Sequence, residues 1–518
     1  MLGYFREMFD KYTGSNRSLK VSVIEGVFAS ILLLSAVAFV VPYALYLGAS
    51  SVQIAFLIAF PTLLASWLQI FSVKLLEIVK SRKRIVVVVV LLQSAAMLGF
   101  VLIPFIDGID KVTWLIVCYT VAIMIGTLGS PVWQSWMKAL TPEKMLGKYF
   151  GFRNSVTIAF SFVTLIFFGY LLGLFQENPL WAFIFIFIIA VIGRTISGIL
   201  STKMDDPIFE PEPKRERVGF IKFVYDLQKT NFWYFLLFGG LMTFAVSMVG
   251  PFLSMYMLND LKIGYFDYTL IIASSTFASI ISMPYWGKLI DRHGTIKILK
   301  ATSLLLVVLP ISFIFVKSVL GLMVILFFDG IIIAGFNLAL ANFVYDYSSQ
   351  QKIIRFASYQ AFFFGTASFI GLMISGFIQG YNFSFGFITS AFYLVCAISA
   401  IIRYITYKIL ITKVKEVKEV KKIHSAQIVF NVLTLVPLRE IALANTPVLL
   451  ESGAKSLRRS IIAMEEVGEK GVEEFEKVGK KGFKAVNTVG DKSIQAISSL
   501  RKFPKHIRDK ISLKKVKK

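Results

Sequence analysis

A carboxylate inside an apolar run needs a partner, water or a task, because placing it centrally in a bilayer costs roughly 2.5–3.5 kcal/mol on insertion scales. Two acids raise that question here, Glu25 in VIEGVF and Asp329 in LFFDGIII, and two arginines stand in similar surroundings, Arg153 in GFRN and Arg194 in VIGRTI. The chain is self-similar in a way that relates them. Pro42 and Pro251 match at a spacing of 209, which sets Glu25 against Tyr234; KYFGFRN at 148–154 matches RFASYQA at 355–361, which sets Arg153 against Gln360. One copy thus carries an acid and a base where the other is neutral, and the expected chemistry is a Glu25–Arg153 ion pair with a gating or coupling role, against a purely structural pair or a Glu25 that reaches the interface. Arg194 is expected to snorkel or to pair with a neighbouring helix.

These side chains sit in a polytopic frame. The chain has 518 residues, 56% hydrophobic and 17% charged, with 49 Phe. Its apolar runs are continuous and about 20 residues long, enough to cross a hydrocarbon core of about 30 Å as helices. They do not alternate as barrel strands do. Twelve spans follow: 22–47, 51–73, 85–105, 112–136, 152–174, 180–202, 231–257, 266–286, 298–316, 319–345, 356–379 and 385–408. Connections rich in Lys and Arg alternate with poor ones. The leader carries Arg6, Lys11, Arg17 and Lys20, and the second connection has five basic residues, whereas Lys111, Lys262 and Lys317 stand alone on the other side. That alternation places both termini in the cytoplasm. The resulting organisation is a segment 1–21, a six-helix bundle 22–202, a linker 203–230, a second bundle 231–409 and a basic tail 410–518.

Two short stretches tie the halves together. GKLIDRHGTIK at 287–297 reads as a tight charged turn between spans eight and nine, and KLLEIVKSRK at 74–83 repeats its core between spans two and three. With the half repeat, LGAS at 47–50 and TPEKMLGKYFGFRN at 141–154, these motifs resemble the major facilitator superfamily of secondary transporters over about residues 20–409. The first-half turn departs from the pattern, with Val73 and Ile78 where Gly and Arg are expected. The resemblance implies an all-α membrane protein of two pseudo-symmetric six-helix bundles around a central cavity that opens alternately to either side. It implies that Asp291, followed by Arg292, meets the start of span five and clamps the cytoplasmic side, with Glu77 in the mirrored place; the bland alternative is a solvated topogenic loop. It implies that span ten lines the cavity, so that Asp329 suits a cationic group or a proton, or else makes a structural hydrogen bond. Gln69, Gln134, Tyr256, Asn337, Asn342, Tyr359 and Gln360 are the remaining cavity candidates, each with helix packing as the alternative.

The function expected is movement of a small solute across the cytoplasmic membrane. The alternatives are an ion-coupled exporter of hydrophobic compounds, using a proton or cation, and a transport-inactive scaffold or receptor. No nucleophile–base set, phosphate loop or metal cluster is visible, so neither an enzyme nor a cofactor is expected. Cys118 and Cys396 lie in apolar runs, and His293, His424 and His506 fall outside the spans. The net charge of +24 is half accounted for by residues 411–518, with 24 Lys and Arg against 12 Asp and Glu. There VGEKGV, VGKKGF and VGDKSI recur every 11 residues from Val467. Eleven residues nearly close three helical turns, so an apolar stripe keeps one face. A basic amphipathic helix on anionic lipid of the inner leaflet is expected, and nucleic acid is not.

Overall fold

The computed structural model describes residues 13, 16–32, 36–106, 108, 110–142, 146–208, 228, 230–347, 353–380 and 390–417. The tail repeat, and most of the linker 203–230, lie outside them. No strand occurs among the described residues. Among the described residues eleven helices are long and apolar enough to cross a membrane, and the first of the twelve passages expected is described in separate segments.

That first passage, α1, runs Arg17–Ser30 and resumes as Ala36–Phe39 and Val40–Tyr46. It starts earlier than the apolar run because the Asn16 side chain accepts the amides of Ser18 and Leu19 and caps the helix. Glu25 is therefore more than two turns inside, deeper than the sequence boundary implies. Pro42 is the third residue of the last segment, and α7 is divided comparably: Asn231–Ser247, then Gly250–Met255 with Pro251 in its first turn, then Tyr256–Asp260. Both prolines thus stand in the first turn of a segment that begins at a matched place, where the missing amide costs no hydrogen bond.

The other passages are α2 (Ser51–Leu68, continued by Ser72–Val79), α3 (Arg82–Leu102), α4 (Lys111–Leu140), α5 (Leu146–Leu174) and α6 (Pro179–Ser201). In the second half they are α8 (Tyr265–His293), α9 (Thr295–Phe315), α10 (Val319–Tyr347), α11 (Ile353–Gly380) and α12 (Ala391–Leu410). At 1.5 Å per residue the 30 residues of α4 span about 45 Å, more than a hydrocarbon core, so its charged ends stand clear of it. Large apolar side chains such as Val117, Val163, Trp181, Ile192 and Leu320 are exposed, as lipid-facing residues are.

The two charged turns are shorter than the sequence suggests. Helix α8 continues through Asp291 and Arg292 to His293, and Gly294 alone separates it from α9, with φ 91° and ψ 159°. Only glycine enters that region without strain. In the first half, Lys80 (φ 56°) and Ser81 form the whole connection from α2 to α3.

Each bundle packs by one plan. Helix α1 lies on α5 and α6, α3 on α4 and α6, and α2 on α4; correspondingly α7 lies on α11 and α12, α9 on α10 and α12, and α8 on α10. The strap after the sixth helix of each half is matched too. Asp205 accepts the Ser18 hydroxyl at 2.6 Å, while Asp206 accepts the Ser81 hydroxyl at 2.6 Å and the Lys83 amide at 3.3 Å. After α12, the Lys415 backbone exchanges two hydrogen bonds with the Asn231 side chain, and Glu416 accepts the Ile296 amide at 2.8 Å. In both halves an acid meets the amino end of the third helix, where exposed amides and the helix dipole favour negative charge.

The halves join along α2–α11 and α5–α8. Small residues let the backbones close: a Cβ on Gly376 would come within 2.4 Å of Ala55 Cβ, and one on Gly169 within 2.3 Å of Thr269. These approaches lie toward the face opposite the basic connections. Phe162 and Phe277 still touch further along, with ring centroids 5.8 Å apart. Nearer the basic face, a Cβ on Gly151 of α5 or Gly287 of α8 would meet nothing within 4 Å.

Candidate functional site

Glu25 and Arg153 meet. Arg153 Nη2 is 3.0 Å from Glu25 Oε2, and Arg153 Nε donates to the Ser22 carbonyl at 3.1 Å. The guanidinium lies over the Trp133 ring, 4.3 Å from its centroid, so α5 reaches both α1 and α4. The other carboxylate oxygen of Glu25 accepts the Ser197 hydroxyl at 2.7 Å. Ser22 and Tyr149 share a further hydroxyl hydrogen bond beneath the pair. Glycines make the room: a Cβ on Gly26 would fall 2.7 Å from Arg153 Nη2.

Arg194 belongs to the same group. It is buried and faces inward: its Nε donates to Gln93 Oε1 at 2.8 Å, and Nη1 lies 3.5 Å from the Ser197 hydroxyl. A guanidinium can only donate, so the Gln93 carbonyl oxygen must face it and the amide nitrogen turns away. Gly126 leaves space there, since a Cβ at that position would sit 2.2 Å from Gln93 Nε2. Glu25, Gln93 and Arg194 are only 3%, 3% and 7% exposed.

Glu25, Gln93, Trp133, Arg153 and Arg194 line a cavity of about 340 Å3, walled by α1, α3, α4, α5 and α6, with Ala29, Val86, Val89, Val90, Ile123 and Thr127 as its less polar lining. It lies within the amino-terminal bundle, in the gap left where α1 packs on α5 and α6 while α4 packs on α2 and α3.

Of the sequence candidates, only Glu25 and Arg153 line this cavity. Gln134 and Asn337 are exposed, and Gln69 is half-buried at the bend of α2. The Asn342 amide donates to the Leu338 carbonyl in its own helix at 2.9 Å, and Gln360 Nε2 donates to the Leu340 carbonyl at 3.4 Å. Both are packing bonds of α10 and α11. Tyr359 is buried. Tyr256 is core rather than cavity: its hydroxyl shares a 2.8 Å bond with Tyr393, and its ring stacks on Phe392 at 4.6 Å. Asp291 and Arg292 are exposed at the end of α8, where Asp291 has no hydrogen bond or ion pair among the described residues, and Glu77 is half-buried at the end of α2.

Asp329 is half-buried on α10 and makes no hydrogen bond or ion pair among the described residues; the charge near it is Arg403 of α12, which sequence reasoning missed. Arg403 Nη1 donates to the Leu306 carbonyl at 2.7 Å and Nη2 to the Ala245 carbonyl at 3.4 Å. Arg403 stands 209 residues beyond Arg194, the spacing of the two prolines, and that repeat was the available signal. Gln93, an amide within a long apolar run, carried no such mark.

Two matched bundles of six helices, joined at two helix pairs and enclosing buried charge, define a membrane carrier fold. The Major Facilitator Superfamily model matches the chain twice, over residues 26–246 and 235–464, and the chain belongs to that family. No curated protein sequence matches it. Among solved structures it is similar to the nucleoside transporter NupG, at 12% identity and TM-score 0.55 over 77% of this chain and 98% of that one. A bacterial homologue of the iron transporter ferroportin, inward-facing, matches at 15% and 0.56 over 77% and 98%. A bacterial homologue of the human lysosomal transporter Spinster, inward-facing and unoccupied, matches at 14% and 0.53 over 76% and 97%. At these identities the likeness is one of fold. The family and these relatives are transporters, not enzymes, and the chain is a multi-pass integral membrane protein.

Proposed function

We propose that this protein carries a small solute across the plasma membrane by alternating access, with the basic face and both termini in the cytoplasm. The observation that supports it is the α5–α8 seam. It is tight from Gly173 and Gly169 to Phe162, yet Gly151 and Gly287 face open space at the basic end. Two lobes hinged at one face and parted at the other are the geometry of a cytoplasm-open carrier. The inward-facing ferroportin and Spinster homologues give the same fold a transporting precedent.

Spin labels on Gly151→Cys and Gly287→Cys, in a background lacking Cys118 and Cys396, test the motion. Two distance populations are expected in lipid, with the shorter one reciprocal to separation of a second label pair on the opposite face. One fixed distance under all lipid and solute conditions, together with no flux in proteoliposomes, would leave a transport-inactive scaffold as the better reading.

A further inference from the structure

The charge-bearing cavity of the first bundle has an unbalanced wall. Two guanidinium groups, Arg153 and Arg194, face one carboxylate, and Glu25 is the sole acid among the lining residues. Burying an ion costs several kcal/mol unless its charge is met, and here one positive charge is left over. The hydrogen-bond inventory is lopsided in the same direction. Arg153 Nη1, Arg194 Nη2 and Gln93 Nε2 make no hydrogen bond among the described residues, and all three can only donate. The matched arginine of the other half is treated differently. Arg403 spends both terminal nitrogens on backbone carbonyls and leaves its buried Nε without a hydrogen bond among the described residues, but it has the Asp329 carboxylate nearby to meet its charge. The surplus positive charge is therefore a property of this cavity rather than of the repeat.

We propose that the cavity binds a small anion, a carboxylate or phosphate group received by Arg194, Gln93 and the outer edge of Arg153. A volume of about 340 Å3 admits a small organic molecule, and the valines and Ile123 supply an apolar wall for its remainder. Glu25 holds Arg153 in place and competes with the anion for it. The identity of the solute rests on the carrier reading, but occupancy of the site does not.

The test is thermal stabilisation of the purified full-length protein by succinate, benzoate and inorganic phosphate, against succinamide and benzamide at matched chloride. At least one anion is expected to raise the melting temperature in a saturable way while the amides do not. Arg194→Gln should weaken that binding roughly 10- to 100-fold, the size of one lost charge-assisted hydrogen bond. Arg194→Lys and Gln93→Leu should weaken it less, and they keep the test alive if Arg194→Gln fails to fold. Glu25→Gln should tighten it, because the competing negative charge is gone; a cation or proton site would respond in the opposite sense. Equal stabilisation by the amides, unchanged affinity in Arg194→Gln, weaker affinity in Glu25→Gln, or no response up to about 10 mM, above the usual range for small solutes, would overturn the assignment. Binding without flux would sink the carrier reading and leave the site standing.

Discussion

At the residue scale the Glu25–Arg153 pair is the most consequential contact. It is nearly dry, spans α1 and α5, and continues through Ser197 to α6 and through Trp133 to α4. Removing one partner of a buried pair leaves the other charge uncompensated, at a cost of about 3–5 kcal/mol. Glu25→Gln and Arg153→Gln are each expected to destabilise the protein by that order in denaturation experiments, and the double variant by clearly less than the sum. Strict additivity would mean that the two groups do not interact energetically. The pairing of these two positions follows from the repeat offsets in the sequence. Their depth does not, because Asn16 starts the helix outside the apolar run.

At the element scale, the family's signature stretch acts as helix rather than as loop. Seven residues expected to turn are the last two turns of α8, and the reversal falls to Gly294 alone. A side chain there is strained whatever space surrounds it, so Gly294→Ala should cost about 1–3 kcal/mol. A thermal melt within error of the parent would show that the connection relaxes. Motif spacing marked where the chain reverses, but helix continuation past the apolar run is fixed by packing. Leu289 and Ile290 are buried while Lys288, Asp291 and Arg292 remain exposed, so this charged stretch carries an apolar face. The matched straps were equally hidden: Asp205, Asp206 and Glu416 are ordinary loop acids in sequence and gain meaning only from the helix ends they reach.

At the scale of the whole molecule, Asp291 stands exposed at the end of α8, on the side of the α5–α8 seam that carries Gly151 and Gly287. If it meets the start of α5 when that side closes, neutralising it favours the open form. Asp291→Asn should raise the labelling rate of a cysteine at position 151 by an aqueous thiol reagent. An unchanged rate would remove the clamp and leave Asp291 as a solvated end of helix. Under the proposed alternating access, the Gly169–Thr269 and Gly376–Ala55 approaches on the opposite face are the contacts that opening to that face would release.

By itself the amino-acid sequence determined the number of passages, their division into two similar halves and the places of Glu25 and Arg153, because bilayer thickness and the cost of buried charge act on residues one span at a time. Tertiary structure alone decided that Arg194 and Gln93 turn inward beside that pair, that Tyr256 is core and that Asp329 feels Arg403. Helical spacing fixes which face of its own helix a residue occupies, whereas the neighbour that face meets depends on how twelve helices rotate and pack together.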